Sequence, residues 1–373
     1  MKKLLAFGLF VAVTAMAAWP CTSAIVSGKL TANGRPMLWK HRDTNDQNNR
    51  IKRIEAHDGL MEFVALFDAR DMRDTAAWTG MNTAGFAIMN TASYNLNADD
   101  VPEKDMDREG VVMRRALEVC RTVDDFARLL DTLPKPMGVE ANFGVIDAQG
   151  GGAYFETGNY KYIRYDLKDA PDGILLRTNY SESGRPDEGF GYVRMENAKA
   201  LLAPHIAARD ITPAVFTEEL SRTFYHSLQG RDYTAGTQRW VVDQDFIPRR
   251  ISTASIVVEG IAPGEDPSLT LMWVALGYPP CAEIDLVTTG EGGVPTRLQG
   301  TGKDNHAPQA DVVNAREAQV FSIKRGNGKH YIDLSKLYNK AGTGWCQTLR
   351  SANEQAYRRG YEARAARALR MTK

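Results

Sequence analysis

An α+β fold built on antiparallel sheets is predicted by three features of the 373-residue chain. Strand-like runs rich in β-branched and aromatic residues crowd its first half. Helical spacing is confined to a few segments. Further on, helices and strands mix without the regular βαβ alternation of a doubly wound parallel sheet. No internal repeat and no low-complexity linker interrupts residues 21–350, which are expected to form one domain.

The chain opens with Met1, Lys2 and Lys3, runs apolar from Leu4 to Val13, and passes small residues at Ala15, Ala17 and Ala18. A basic start, a short apolar core and an A-x-A site read as a secretory signal peptide. The apolar run falls short of the about 20 residues needed to cross a bilayer as a helix. Small residues favour processing between Ala17 and Ala18, leaving Ala18, Trp19 and Pro20 ahead of Cys21. Residues 1–20 are thus expected to be signal peptide plus short propeptide, and the product secreted or periplasmic. A lipoprotein signal would want small residues where Trp19 and Pro20 stand.

From Thr22 the sequence reads as a hairpin. TSAIVSG and PMLWKHRD flank an Asn33-Gly34 turn, a strong short-range hairpin signal. Strands are further expected at 62–69, 85–94, 141–148, 152–158, 160–166, 173–179, 251–260 and 268–277. Spacing of three and four predicts helix over 109–132, with a second piece starting at Asp124 and Asp125, and over 190–207. Thr212-Pro213 suits a helix start for 212–223. The tail 351–373 carries six Arg and Lys against two Glu and reads as a basic, solvated helix with a thin apolar face of Tyr357, Tyr361, Ala365 and Leu369.

Removing residues 1–20 lowers the basic count from 46 to 44 against 46 acids, so no global charge draws the chain to nucleic acid or an anionic membrane. No metal-ligand spacing, GxGxxG or P-loop is present, and no cofactor or metal is expected. Neither is a membrane span, while the composition leaves room for a homo-oligomer. Of the four cysteines, Cys120 falls on the apolar face of a helix with Val112, Ala116 and Val123 and reads as core, and Cys281 and Cys346 are candidates for pairing. Cys21 is left over.

A cysteine at an amino terminus would join two groups of similar basicity, an α-amine near 7.7–8.0 and a thiol near 8.5. The amine can take the thiol proton and return it to a leaving amine, so nucleophile and base belong to one residue. Asp43, ending the return strand, can fix the ammonium or the thiol, and Asn90 and Asn179 lie at strand ends where oxyanion donors can converge. Each has a plainer reading as a cap or turn residue. His41 is the rival base, and Trp39, Trp78 and Tyr94 are candidates to line a substrate pocket or to be core.

Taken together, CTSAIVSGKLTANGRPMLWKHRD, GMNTAGFAIMNTASYN and LLRTNYSESG resemble the N-terminal nucleophile hydrolases, in particular the acyl-CoA:6-aminopenicillanic acid acyltransferase family, with the choloylglycine hydrolases beside it. The resemblance implies a four-layer αββα sandwich and cleavage or transfer of an acyl group at a linear C–N amide bond, through a thioester on Cys21. It implies a small-molecule N-acyl amide as partner, Asp43 as the orienting acid, and the Asn90 backbone N–H and Asn179 side chain as oxyanion donors. Separately, the tripeptide expected ahead of Cys21 raises the expectation that Cys21 removes it by attack on the Pro20 carbonyl. Lys40 stands where choloylglycine hydrolases carry an arginine and lacks its bidentate fork. A second family arginine would fall near Ser255, where none is present; Arg249 and Arg250 lie a few residues earlier. A secreted N-terminal-cysteine dipeptidase and a non-enzymatic secreted domain with Cys21 bridged are the two alternatives.

Overall fold

A computed structural model describes residues 21–96, 101–243 and 245–371; the expected signal peptide and propeptide at 1–20 lie outside the described residues. The chain begins with a strand hairpin, β1 (Thr22–Val26) and β2 (Met37–Asp43), then β3 (Asn49–Ile54), β4 (Phe63–Asp68), β5 (Thr79–Asn82) and β6 (Ala87–Ala92). Helices α1 (Glu109–Val119) and α2 (Val123–Thr132) precede β7 (Ala141–Ile146), β8 (Gly152–Thr157), β9 (Tyr162–Asp166) and β10 (Ile174–Arg177). Next come α3 (Tyr192–Ala208), a π-turn at Val215–Glu219 and three short strands, β11 (Tyr225–His226), β12 (Arg231–Asp232) and β13 (Trp240–Val242). The last third holds β14 (Ser252–Glu259), β15 (Leu271–Leu276), β16 (Ile284–Val287), α4 (Pro308–Val320), β17 (Ile323–Gly326), β18 (Lys329–Asp333), α5 (Trp345–Thr348) and α6 (Arg350–Met371).

Two antiparallel sheets dominate. One runs β10-β1-β2-β14-β15-β16 and the other β3 through β9 in chain order. Ile25, Leu38, Ile256, Val258, Met272 and Val274 of the first sheet pack in one core with Val64, Leu66, Met81, Met89 and Ile146 of the second. The second sheet's outer face (Phe63, Phe67, Phe143, Phe155) is covered by Met113 and Leu117 of α1 and Phe126 and Leu130 of α2. The first sheet's outer face (Ala24, Met37, Trp39, Val257, Trp273) is covered by Ala198 and Leu202 of α3, Phe216, Val313 of α4 and Tyr357 of α6. Helix, sheet, sheet, helix is therefore the layer order, an α+β arrangement with antiparallel sheets. Strands covered on both faces lose the apolar-polar alternation of a half-exposed sheet, which explains runs such as LMWVAL.

The expected strands are all found, shortened by one to four residues in total. In the two large sheets three members were not legible: β3, whose NRIKRI carries three charges and sets its isoleucines three apart, and the four-residue β5 and β16; the short strands β11, β12, β13, β17 and β18 were not expected either. Helix α4 also escaped expectation, because the face of PQADVVNAREAQV that it buries includes the polar Gln309 and Glu317 while Val312 is exposed. The 212–223 segment is helical from Pro213 but includes the π-turn and a closing 3-10 turn at Leu220–Arg222. A Thr122 side chain accepts from Asp125 N and Asp125 in turn accepts from Thr122 N, a capping box that separates α2 from α1.

The basic tail is helical, but it is docked rather than wholly solvated. Glu259, fully buried, accepts from Trp273 Nε1 (3.1 Å), Tyr361 Oη (3.1 Å) and Arg364 Nη2 (2.6 Å), so α6 is tied to β14 and β15 through one carboxylate. Burying a charge is costly unless it is paired and hydrogen-bonded, and here the pairing is complete enough to hold the helix. Leu369, expected on the apolar face, is 66% exposed. Gly360 gives α6 its close approach: a Cβ there would stand 2.3 Å from the Trp273 ring. Alanine normally favours a helix interior over glycine by about 1 kcal/mol. Gly360→Ala is nevertheless expected to lose about 1–3 kcal/mol through overpacking, seen as a lower midpoint in denaturant unfolding.

Candidate active site

Cys21 is the residue before β1, and the hairpin register opposes Thr22 to His41 and Ser23 to Lys40. The start of β1 is thereby set beside the end of β2. Cys21 Sγ lies 3.8 Å from the backbone oxygen of Asp43, its nearest hydrogen-bonding partner. The two-residue period of β2 puts Trp39, His41 and Asp43 on one face and Leu38 and Lys40 on the other. The even-numbered face looks into the space between the sheets, where Leu38 packs.

Lys40 is fully buried there and bridges to the opposite sheet, donating to Asn90 Oδ1 (2.6 Å) in β6 and to the Trp78 carbonyl (2.8 Å). Burial, slightly opposed by the nearby Cys21 and acids, lowers its ammonium from 10.5 to about 7. Asp43 is held at both carboxylate oxygens. Ser252 Oγ donates to Oδ1 at 2.6 Å, and Arg249 Nη2 pairs with Oδ2. Of the two arginines near the expected family position, Arg249 is the one that reaches Asp43. The His41 ring is sealed, its pKa lowered to about 4 by burial, and its Nε2 is 3.6 Å from Asp43 Oδ1.

Asn179 follows β10 and is brought to the same end by its partners. Its Nδ2 donates to the Ala92 carbonyl (2.9 Å) at the end of β6, and its Oδ1 accepts from Arg194 Nη2 (2.8 Å). Arg194 Nη1 also donates to the Cys21 carbonyl (2.5 Å) and to Thr22 Oγ1 (2.7 Å). One buried guanidinium therefore ties the cysteine residue to the asparagine. Burial and the Arg249 charge lower its pKa to about 9. Room for it comes from Gly191 at the start of α3, where φ is +90° and a Cβ would stand 2.3 Å from Arg194 Nη2. Arg194 was missed in the sequence, since one arginine in the first turn of a helix reads as a surface residue.

The three aromatic residues part company. Trp39 does not line a pocket with Cys21: it faces the helix layer, fully buried, stacked on Phe216 at 5.0 Å and donating to Ser255 Oγ at 3.0 Å. Alternation along β2 puts it on the side opposite Lys40, so it is core. Trp78 is half-buried under Lys40 and Arg42, with Nε1 donating to Asp68 Oδ2 (3.1 Å). Tyr94 is half-buried and meets Phe190 edge-on at 5.4 Å. Phe190 is 50% exposed and pairs with Asn179 through both backbone hydrogen bonds (3.2 Å each), a neighbour of the site that the sequence reading did not single out.

The other cysteines are spectators. All four are unbridged, so the expected pairing of Cys281 with Cys346 is not found. Cys346 Sγ instead donates to the Pro280 carbonyl at 3.3 Å. Burial pushes the thiols of Cys120 up to about 12 and Cys346 up to about 11, and raises Cys281 as well, leaving little thiolate at neutral pH.

Residues 73–215 match the family model described as acyl-coenzyme A:6-aminopenicillanic acid acyl-transferase. The matched segment spans less than half of the chain. That segment contains Trp78, Asn90, Tyr94, Asn179, Phe190 and Arg194; Cys21, Lys40, Asp43 and Arg249 lie outside it. Among solved structures, the chain is similar to a Caenorhabditis elegans N-acylethanolamine-hydrolyzing acid amidase ortholog, at 13% identity over 64% of this chain and 92% of that one, with a TM-score of 0.38. It is similar to penicillin V acylase from Agrobacterium tumefaciens at 13% identity, over 73% and 87%, TM-score 0.40. A mutant conjugated bile acid hydrolase from Clostridium perfringens matches at 10% identity, over 72% and 92%, TM-score 0.46. No curated protein matches the chain in sequence.

Lys40 supplies a test of the site's electrostatics. Between about pH 7 and 10.5 the folded chain holds fewer protons at this residue than the unfolded chain, so stability from this group rises with pH across that window. Its burial is least favourable below pH 7. Lys40→Met is accordingly expected to gain on the wild type by about 1 kcal/mol or more on moving from pH 9 to pH 6, measured by urea unfolding at both pH values.

Proposed function

We propose that the chain is an exported amidase or acyltransferase that acts on a linear C–N amide bond through Cys21 as its mature amino terminus. The observation that carries the reading is the junction made by Arg194, which binds the Cys21 carbonyl and the Asn179 side chain at once. The acyl-transferase segment supports the reaction class. The leader in residues 1–20 supports export, and Pro20 before Cys21 supports removal of Ala18, Trp19 and Pro20 by attack of Cys21 on the Pro20 carbonyl.

In the mature enzyme, the Cys21 α-amine takes the thiol proton, and Sγ attacks the carbonyl carbon of the substrate. Charge then develops on the carbonyl oxygen, toward donors on Asn179 and the backbone at Asn90. The C–N bond breaks as the ammonium returns its proton to the departing amine, leaving a thioester on Cys21. Water or a second amine attacks the thioester, the acyl group leaves with it, and the thiol regains its proton. Asp43, held by Ser252 and Arg249, sits at the end of β2 where it steadies the ammonium. Tyr94 and exposed Phe190 beside Asn179 favour an apolar acyl group over a charged one.

Intact mass and amino-terminal sequence of the exported protein test the starting point. A chain beginning at Cys21 with a free thiol is expected; a chain beginning at Ala18, or Cys21 blocked or bridged, overturns the proposal. On such a chain, a panel of penicillin V, a glycine-conjugated bile acid and an N-acylethanolamine should reveal turnover. Asn179→Ala is then expected to lower kcat by about 10²–10³-fold, and Asp43→Asn to lower kcat/KM sharply with the thermal midpoint little changed. Unchanged kinetics would remove the residue concerned from the mechanism.

A further inference from the structure

The hydroxyl of Ser252 stands at a junction of three groups. Its Oγ donates its only proton to Asp43 Oδ1 (2.6 Å) and accepts the backbone N–H of Arg249 (2.9 Å). His41 Nε2 lies 2.9 Å from the same oxygen. A serine hydroxyl offers one proton and two acceptor lone pairs. With the proton on the carboxylate and one lone pair taken by Arg249, the third contact closes only if His41 Nε2 carries a hydrogen and donates it.

We propose that Ser252 is a positioning residue for Asp43 and that His41, locked as an Nε2–H donor, holds Ser252 in place instead of serving as a base for Cys21. All three side chains are shielded: His41 is fully buried, Ser252 is 1% exposed and Asp43 is 2% exposed. The alternation of β2 places His41 and Asp43 on one face, and the β14 register sets Ser252 opposite Asp43. Around the ring stand Asp43, Ser221 at 3.1 Å from Nδ1, and the cations Arg249 and Arg194. Ser221 Oγ gives its proton to Ser255 Oγ (2.8 Å), so the hydrogen on Nε2 is fixed by the Ser252 junction and not by the Ser221 contact, while burial and the two cations hold the ring's pKa down. The arrangement fills one oxygen of Asp43 from Ser252 and the other from Arg249, so the carboxylate cannot rotate without breaking both bonds.

The tautomer can be read without any substrate. In 15N-labelled protein, His41 Nε2 is expected to report as protonated from pH 5.5 to 8. A bare Nε2 in that range overturns the proposal. The role of Ser252 rests on the terminal-cysteine reading and is tested by the rate of Cys21 alkylation with iodoacetamide, located by peptide mapping. At pH 7, Ser252→Ala is expected to slow alkylation about tenfold, while Ser252→Thr, which keeps the hydroxyl, stays within about threefold of wild type. A Ser252→Ala chain that begins at Cys21 and alkylates at the wild-type rate overturns the positioning role. Intact mass is taken on the same samples, so a chain that does not begin at Cys21 marks failure of the terminal-cysteine reading instead. Should Ser252→Ala not fold, the histidine spectrum still decides for or against the lock.

Discussion

Strand β2 is buried along its whole length, and most of the candidate site depends on that constraint. A strand sends successive side chains to opposite faces. In a sheet covered on one side by helices and on the other by a second sheet, neither face is solvent. MLWKHRD must therefore place its polar residues inside. Leu38 joins the core between the sheets, and Lys40, two residues on, spans that core to Asn90. Trp39 joins the helix-side core, and His41 and Asp43 follow on its face. A shift of one residue in register would exchange the two sets and dismantle both the packing and the site.

The polar residues so enclosed are held by one another. Lys40, Arg42, Arg194 and Arg249 are cations at or near one end of the sandwich, met by Asp43, Asp68 and several backbone carbonyls. Taking such charges from water costs several kcal/mol each before pairing is counted, so stability is a poor reason for their presence. What the bonds supply is fixed direction. Arg194 uses a planar fork to bind Thr22 and Cys21 through one nitrogen and Asn179 through the other, a geometry that lysine cannot copy. Distant segments, residues 21–22, 179 and 194, thereby become one rigid corner.

Much of this was legible in the amino-acid order, and the boundary follows physical lines. Asn33-Gly34 between two β-rich runs announced the hairpin, and the hairpin alone makes the end of β2 a neighbour of Cys21. Strand identity was strong wherever β-branched and aromatic residues clustered, as in β14 and β15. It failed for β3, at a sheet edge, where three charges surround two isoleucines set three apart and so out of strand period, and for the short strands β5 and β16. The basic tail showed its helix but concealed its anchor, because Glu259 lies more than 90 residues away from its partners Tyr361 and Arg364. Trp39 carried no local sign of which face of the sheet it would occupy.

Local order by itself determined the α+β class, the hairpin that leads Cys21 to Asp43, and the segments carrying Asn90 and Asn179, because periodicity and turn chemistry act over a few residues. Only the tertiary structure decided which cations meet those side chains. Arg194 reaches Cys21 across 173 positions and Arg249 reaches Asp43 across 206. No pattern of spacing encodes such pairs, since they form where sheet register and helix packing bring the ends of four strands to one corner. The same packing sent Trp39 into the core and closed His41 away from solvent. Whether a polar side chain becomes a surface charge or a buried partner is settled by what covers it, and the cover comes from elsewhere in the chain.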